Sequence, residues 1–164
     1  MTATVHSILV VRRSIHISAP PSRVWEEFST FERMNRWWGV LLGAPEAGKS
    51  NGQRLVAYEP RLGGRVEMEV LFSGAPWRYG GAIVVFEPER ELTFQSDWMP
   101  NRGWLKPTLI TIKLTPALAG TLVELTHHGF EHTGDRAGDE HAGYEGGWGM
   151  TQLNALRALV QAAA

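Results

Sequence analysis

The chain of 164 residues contains no cysteine, so disulfide bonds, thiol nucleophiles and cysteine metal ligands are excluded. It also has no excess of charge: the formal net charge of -1 gives no general attraction to nucleic acid or to an anionic membrane. No apolar run is long enough to span a bilayer, and the N-terminal stretch lacks the basic start and apolar core of a signal peptide. These absences predict a cytoplasmic protein that binds neither nucleic acid nor membrane.

Tryptophan, in contrast, is abundant, with 7 Trp in the chain. Large aromatic side chains line ligand cavities well, so this composition favours a protein with a binding pocket. The hydrophobic share of 43% is ordinary for a globular protein, and the length suits one domain with a proper core. Because there are no repeats and no interdomain linker, we expect a single domain over residues 1–164.

Short alternating segments separated by tight turns predict an antiparallel sheet, because such turns join neighbouring strands. The predicted strands are Ser7–Ile17, Arg54–Tyr58, Arg65–Leu71, Tyr79–Phe86, Glu91–Trp98, Pro107–Pro116 and Thr121–Phe130. Two short helices, about Ser22–Phe28 and Phe31–Trp38, follow the first strand, and Pro21 suits the first turn of the former.

The segment from Gly143 to Ala164 predicts the one long helix. At about 100° per residue, an apolar arc forms from Trp148, Gly149, Gln152, Leu153, Leu156, Leu159 and Val160. Gly149 removes side-chain volume and Gln152 brings an amide inside, which suggests a partly polar gap under the helix. We therefore predict an α+β fold, in which a curved antiparallel sheet of about six to seven strands surrounds the C-terminal helix.

Two segments contain residues typical of a phosphate-binding or a metal-binding site, but both are better interpreted as solvated loops. Gly43–Ser50 matches the phosphate-loop pattern Gly-x-x-x-x-Gly-Lys-Ser letter for letter. However, the turn pair Asn51-Gly52 follows at once, and the chain lacks strand–helix alternation, so we expect a solvated loop over the pocket mouth. Histidines and carboxylates crowd residues 127–141 without the fixed spacing of a metal site, so a solvated polar loop and no metal are expected there.

His127 stands apart from that loop, because its strand parity points it inward with Val123 and Leu125. It is either a core histidine satisfied by hydrogen bonds or a ligand-contacting, acid–base residue, and we keep both interpretations. No serine nucleophile motif and no cofactor fingerprint occurs, so no cofactor is expected. Arg61 and Arg102 are interpreted as solvated loop charges, and the alternative is that they contact an anionic ligand. Trp104 is interpreted as a residue at the rim of the pocket or in a lid over it.

Six motifs in order resemble the START-like (SRPBCC) superfamily, and most closely its branch named after the activator of the ninety-kilodalton heat-shock chaperone's ATPase. They are Ala19–Trp25, Arg36–Gly39, Leu62–Arg65, Phe86–Leu92, Leu125–Phe130 and Tyr144–Gly149. The resemblance implies a helix-grip fold with a cavity between sheet and long helix, which in relatives holds lipids, hormones, polyketides or other apolar molecules. Gln152 departs from the family pattern, where a leucine-like residue is usual, and this indicates a more polar ligand.

We therefore predict that a small apolar or aromatic molecule binds in that cavity. The expected ligand-binding residues are Trp37, Trp38, Met68, Tyr79, Trp98, Trp104, Thr108, Ile110, His127, Trp148, Gly149 and Gln152. One alternative is a cyclase, dehydratase or hydrolase acting on an aromatic or polyketide-like substrate, with His127 as general acid or base and Gln152 as the orienting group. Another, by family analogy alone, is a chaperone-associated interaction module, and a homodimer is a further candidate assembly.

Overall fold

Seven strands, each paired antiparallel with its neighbour, form one sheet in the order β1-β7-β6-β5-β4-β3-β2. The computed structural model describes residues 9–39, 50–72, 75–98, 100 and 103–162. The strands are β1 (Val11–Ile17), β2 (Ser50–Tyr58), β3 (Arg65–Phe72), β4 (Ala75–Glu87), β5 (Glu91–Gln95), β6 (Leu109–Ala117) and β7 (Gly120–His128).

In the described ranges, the α-helices lie between β1 and β2 and after β7. Between β1 and β2 lie α1 (Pro21–Trp25), a 3₁₀ turn (Glu26–Phe28) and α2 (Phe31–Trp38). After β7 come a 3₁₀ segment (Phe130–Arg136), α3 (Ala137–Gly147) and α4 (Thr151–Ala162). The sheet is curled around the C-terminal helix, so the predicted α+β helix-grip fold, with seven strands and two early helices, is confirmed.

The core lies between the inner face of the sheet and the helices α2 and α4. Helix α4 buries Leu153, Leu156 and Val160, which recur at helical spacing and match the predicted arc. Helix α2 contributes Trp37 and Trp38, both almost completely buried. Burial of each such aromatic side chain stabilises the fold by roughly 2–3 kcal/mol, so this face of α2 fixes the position of the helix on the sheet.

The C-terminal helical region is broken, whereas we expected one continuous helix from Gly143. Helix α3 ends at Gly147, Trp148 has extended backbone angles (φ -75°, ψ 122°), and α4 begins only at Thr151. Glycine is a poor helix former, and three glycines lie within four residues at 146, 147 and 149. Trp148 and Gly149 therefore belong to a short connection, not to the helix.

The polar stretch from 127 to 141 is also more ordered than expected. Instead of a solvated loop, it contains the end of β7, a 3₁₀ segment and the first turn of α3. The ring of Phe130 anchors this stretch, because it is fully buried and packs against His127 at a centroid distance of 4.9 Å. Within the described part of the chain, no three histidines or acidic residues are placed to hold a metal ion.

Two predictions concern residues outside the described ranges. One is the segment resembling a phosphate loop, Gly43–Ser50, of which all but Ser50 lies outside these ranges, and the other is Arg102. Arg61 is described: it is exposed, and its guanidinium lies 2.8 Å from the carboxylate of Glu59. No helix in the described ranges is long and apolar enough to cross a membrane.

Candidate functional site

A cavity of about 290 Å³ lies between the inner face of the sheet and the junction of α3 and α4. Strands β2, β3, β4, β6 and β7, the segment after β5, and the α3–α4 junction all contribute to its wall. The lining residues are Gln53, Val70, Tyr79, Ser96, Asp97, Ile110, His127, Tyr144, Gly147, Trp148, Gly149, Thr151 and Gln152. The volume is close to the lower limit of ligand pockets, which suits a molecule of one or two rings.

Larger depressions occur on the surface, but their walls are less suited to a ligand. One of about 550 Å³ lies between Pro21 and the β4–β5 turn, and another of about 450 Å³ follows the outer face of the sheet near Arg12 and Lys113. A third, of about 430 Å³, lies along the β3–β4 hairpin. Solvated charged side chains contribute to all three, whereas the 290 Å³ cavity is walled by aromatic and buried polar groups.

His127, on β7, forms the centre of a hydrogen-bond chain at the cavity wall. The indole N–H of Trp148 donates to His127 Nδ1 at 3.0 Å. Because the indole can only donate, Nδ1 must be the unprotonated nitrogen, and Nε2 carries the proton. Nε2–H then donates to Thr108 Oγ1 at 2.9 Å, and the Thr108 hydroxyl donates to the carbonyl oxygen of Asp97 at 3.3 Å.

This arrangement holds His127 in its neutral form. Its side chain is 1% exposed, and burial, with a smaller contribution from the charge on His128, lowers its pKa to about 3. Both ring nitrogens are engaged with protein partners, so proton exchange with a ligand would require breaking one of these bonds. The geometry therefore favours a positioning role for His127, which fixes the orientation of the Trp148 indole.

Asp97 is the buried acid of the cavity. Strand β5 ends at Gln95, but backbone bonds continue beyond it: Ser96 N–H donates to Thr108 O, and Thr108 N–H donates to Asp97 O. These bonds hold the Asp97 side chain inside, where it is 4% exposed. The hydroxyl of Tyr144 donates to Oδ2, whereas Oδ1 has no hydrogen-bond partner among the described residues.

The charge state of Asp97 is unusual for a carboxyl group. Burial, and then the negative charge of Glu140, raises its pKa from 3.8 to about 7. A carboxyl group that ionises near neutral pH within a cavity is a frequent mark of a functional site. Asp97 was not among the residues expected from the sequence.

Tyr79, on β4, connects the sheet to helix α2 through Gln53. Its hydroxyl donates to Gln53 Oε1 at 2.8 Å, and Gln53 Nε2 donates to the carbonyl oxygen of Trp38 at 3.0 Å. Burial, together with the charge of Asp97, raises the pKa of Tyr79, so the phenol stays protonated and remains a donor. This wall is thus held by side-chain bonds as well as by strand pairing.

The α3–α4 junction is held in place by Arg13 of β1. Its guanidinium donates to the carbonyl oxygens of Trp148 and Glu145, at 3.0 Å and 3.1 Å. These bonds satisfy carbonyl groups that the end of a helix otherwise leaves without partners. The break in the helix is therefore a fixed feature, and it places the Trp148 ring beside His127 and Trp38, at centroid distances of 6.0 Å and 6.1 Å.

The structure brings half of the expected ligand-binding residues together. The six that line the cavity are Tyr79, Ile110, His127, Trp148, Gly149 and Gln152. Thr108 lies directly behind them, fully buried and bonded to His127. Trp37, Trp38 and Met68 are instead part of the hydrophobic core.

The positions expected for two tryptophans are wrong. Trp98 was expected to line the cavity as the last residue of the predicted strand Glu91–Trp98, but the strand ends at Gln95 and Trp98 is 51% exposed. Trp104 was expected at a rim, yet it is 3% exposed. A hydrogen bond between the two residues accounts for both positions. The indole N–H of Trp98 donates to the carbonyl oxygen of Trp104, so the exposed Trp98 packs over the turn that contains the buried Trp104.

A seven-stranded antiparallel sheet curled around a C-terminal helix, with a cavity between them, defines the helix-grip class of proteins. Residues 18–161 match the family model described as Activator of Hsp90 ATPase homolog 1-like protein. Because the match covers most of the sequence, the chain belongs to this family, which is consistent with a ligand-binding or Aha1-like domain. A search of curated proteins gives no match.

Solved structures share the fold over nearly the full length. Protein CV1439 from Chromobacterium violaceum is 25% identical, with a TM-score of 0.65, and the match covers 93% of this chain and 96% of that one. Protein Ms6760 from Mycobacterium smegmatis is 16% identical, with a TM-score of 0.66 and coverage of 96% and 94%. The Aha1 dimer from Colwellia psychrerythraea is 19% identical, with a TM-score of 0.55 and coverage of 93% and 96%.

Proposed function

We propose that this protein binds a small, mainly apolar or aromatic molecule in the cavity between the sheet and the α3–α4 junction. The observation that carries the proposal is the wall itself. Tyr79, Tyr144 and Trp148 supply aromatic surface, while Asp97 and Gln152 supply the few polar groups that orient a ligand. Both polar groups come from positions where a plain hydrophobic core would have an apolar side chain.

Filling the cavity from α4 should weaken binding. Gln152→Trp places a large ring at the cavity wall, whereas Asn154→Trp places the same ring on the exposed side of the same helix. For a neutral aromatic probe such as phenethyl alcohol, we expect Gln152→Trp to weaken binding at least tenfold by isothermal titration calorimetry. The reason is that the ring occupies the space that the probe needs.

The matched variant Asn154→Trp should keep the affinity of the unmodified protein. Equal affinity of both variants for the probe would contradict the location of the site. Failure of a broad panel of one- and two-ring compounds to bind the unmodified protein, measured by native mass spectrometry, would contradict binding itself.

Proton-transfer catalysis is the second candidate, and the placement of Asp97 favours it. Its Oδ1 has no hydrogen-bond partner among the described residues, it lines the cavity, and burial raises its pKa to about 7. In this role Asp97, rather than His127, would take a proton from a carbon next to a carbonyl group, the step that cyclisations and dehydrations share. Incubating aryl ketones with the protein in D₂O tests it by NMR. We expect the protein to accelerate hydrogen–deuterium exchange at that carbon, and Asp97→Asn to lose this acceleration. Equal exchange rates with and without the protein would count against a catalytic function.

Chaperone association and a homodimer have weaker support. They come from the family description and from one structural neighbour described as the Aha1 dimer, at 19% identity. Both stay predictions for this chain. Light scattering coupled to size exclusion, with and without the purified chaperone, decides both through the measured masses.

A further inference from the structure

We propose that the natural ligand carries a protonated amine, which Asp97 Oδ1 holds at the polar end of the cavity. This inference rests on the proposed binding function and makes its ligand class specific. Three independent observations carry it: an unpartnered carboxyl oxygen, the sign of the charge around it, and the aromatic groups beside it.

The unpartnered oxygen is the first observation. Asp97 lines the cavity and is almost completely buried, and Tyr144 satisfies only Oδ2. Oδ1 has no hydrogen-bond partner in the described part of the chain. Since buried carboxyl oxygens in folded proteins are nearly always bonded, a donor from outside the chain completes the group. An amine supplies such a donor, and a carboxylate ligand does not.

The sign of the charge is the second observation. The described lining contains no lysine or arginine, and its histidine, His127, is held neutral. Glu140 lies one helical turn before Tyr144 on α3, with a side chain only 12% exposed, and its charge acts on Asp97. Arg136 approaches Glu140 at 3.9 Å from the exposed side of α3. The local field therefore favours a cation in the cavity and disfavours an anion.

Aromatic groups close to the acid are the third observation. The hydroxyl of Tyr144 donates to Asp97, and the charge of Asp97 helps to raise the pKa of Tyr79. Trp148 lines the same cavity. Aromatic faces attract ammonium groups, most strongly where water is excluded. A volume of about 290 Å³ limits the ligand to a small body, so we expect an arylalkylamine or a compound of similar size.

The pH dependence of binding provides a specific signature. The titratable groups that act on Asp97 are Glu140 and Tyr144 from α3 and Tyr79 from β4, and His127 from β7 lines the cavity with it. With a pKa of about 7, Asp97 loses its proton between about pH 6 and pH 8, while an alkylamine stays protonated. Amine affinity should therefore rise about tenfold from pH 6 to pH 8, and that of a neutral isostere should not.

The experiment compares phenethylamine with phenethyl alcohol, which has nearly the same shape without the charge. At about pH 8 we expect the unmodified protein to bind the amine at least tenfold more tightly, measured by calorimetry. In Asp97→Asn the ratio of the two affinities should fall to about one. Asp139→Asn removes the same charge from an exposed position of α3 and should keep the ratio of the unmodified protein.

The outcomes separate the two proposals. If both compounds bind with equal affinity and Gln152→Trp weakens both, the cavity is a binding site but the amine inference is wrong. If the amine binds more tightly but Asp97→Asn keeps that preference, the assignment to Asp97 is wrong. If neither compound binds, the amine inference fails, and the panel of neutral compounds decides separately whether the proposed function fails with it.

Discussion

Replacing His127 with alanine should lower the free energy of unfolding by about 3–5 kcal/mol near pH 7.5. The substitution leaves a void among buried rings and removes the bonding partner of both Trp148 and Thr108. Urea denaturation followed by tryptophan fluorescence measures the loss. His128→Ala, the next residue along β7, is the matched control: its ring is only part-buried and bonds to Thr111, so we expect a loss under about 1 kcal/mol.

The loss on replacing His127 should depend on pH. A histidine whose pKa is lowered from 6.5 to about 3 stabilises the fold fully above pH 6.5, and this stabilisation is lost as the pH falls toward 3. At about pH 4, protonation of the unfolded chain removes roughly 3 kcal/mol of it. The difference between His127→Ala and the unmodified protein should therefore shrink at low pH. A loss of the same size at both pH values would contradict the buried, neutral histidine.

Asp97→Asn should raise the free energy of unfolding by about 1–3 kcal/mol near pH 8, although the residue is buried and hydrogen-bonded. In the folded protein the pKa of Asp97 is about 7, compared with 3.8 for an unperturbed carboxyl group. The fold therefore favours the protonated form, and the stabilisation that is fully present below pH 3.8 is lost as the pH rises through 7. That loss is about 4 kcal/mol when complete. The side-chain oxygen of asparagine can still accept from Tyr144. Its amide nitrogen, however, takes the place of Oδ1 without a partner, which lowers the free energy of unfolding by about 1–3 kcal/mol.

The same variant should be less stable than the unmodified protein at about pH 4, because the carboxyl group is then protonated and its penalty is absent. Chemical denaturation at the two pH values measures this change of sign. The exposed Asp139→Asn should change stability by less than about 0.5 kcal/mol at either pH. A destabilised Asp97→Asn at pH 8 would show that the carboxylate has a partner and is no free anchor.

The two buried groups oppose each other in the unmodified protein. Between about pH 4 and pH 6.5, the contribution of Asp97 falls as the pH rises, while that of His127 grows at a similar rate. The summed contribution of the two groups to the free energy of unfolding is therefore nearly independent of pH in this range. In each single variant, the stability should instead change with pH as the remaining group dictates. A buried acid that lowers stability at neutral pH is expected at a functional site rather than at a structural one.

Much of the fold could be predicted from the sequence, because alternation and tight turns are local signals. Thr121–Phe130, for example, alternates in a way that only a half-buried strand explains, and β7 does bury Val123, Leu125 and His127. The arc on the last helix likewise identified Leu153, Leu156 and Val160, which α4 buries. Such patterns depend on the period of the backbone and need no knowledge of distant contacts.

The acid at the centre of the site could not be found in this way. Extending the strand to Trp98 put Ser96 and Trp98 inside and Asp97 outside, because side chains alternate along a strand. The strand in fact ends at Gln95, and the backbone bonds to Thr108 hold both Ser96 and Asp97 inside. A one-residue change in register reverses every side chain beyond it. The only local signal was an acidic residue between the aromatic residues Phe94 and Trp98.

The break between α3 and α4 was missed for a related reason. The glycines at 146, 147 and 149 lower helix propensity, but the long-range bonds from Arg13 to the carbonyl oxygens of Trp148 and Glu145 fix where the helix ends. Arg13 lies on β1, more than a hundred residues earlier in the chain. This tertiary contact turns Trp148 and Gly149 into cavity wall, and it explains how Tyr144 and Trp148 can both approach His127.

A crystal structure of the protein soaked with phenethylamine at about pH 8 tests the account most directly. We predict the aromatic ring in the cavity beside Tyr79 and Trp148, with the amine nitrogen roughly 3 Å from Asp97 Oδ1. The bond from Trp148 to His127 should be kept in the complex. A structure with this cavity empty and the probe bound at another surface, or with the amine turned away from Asp97, would contradict the account.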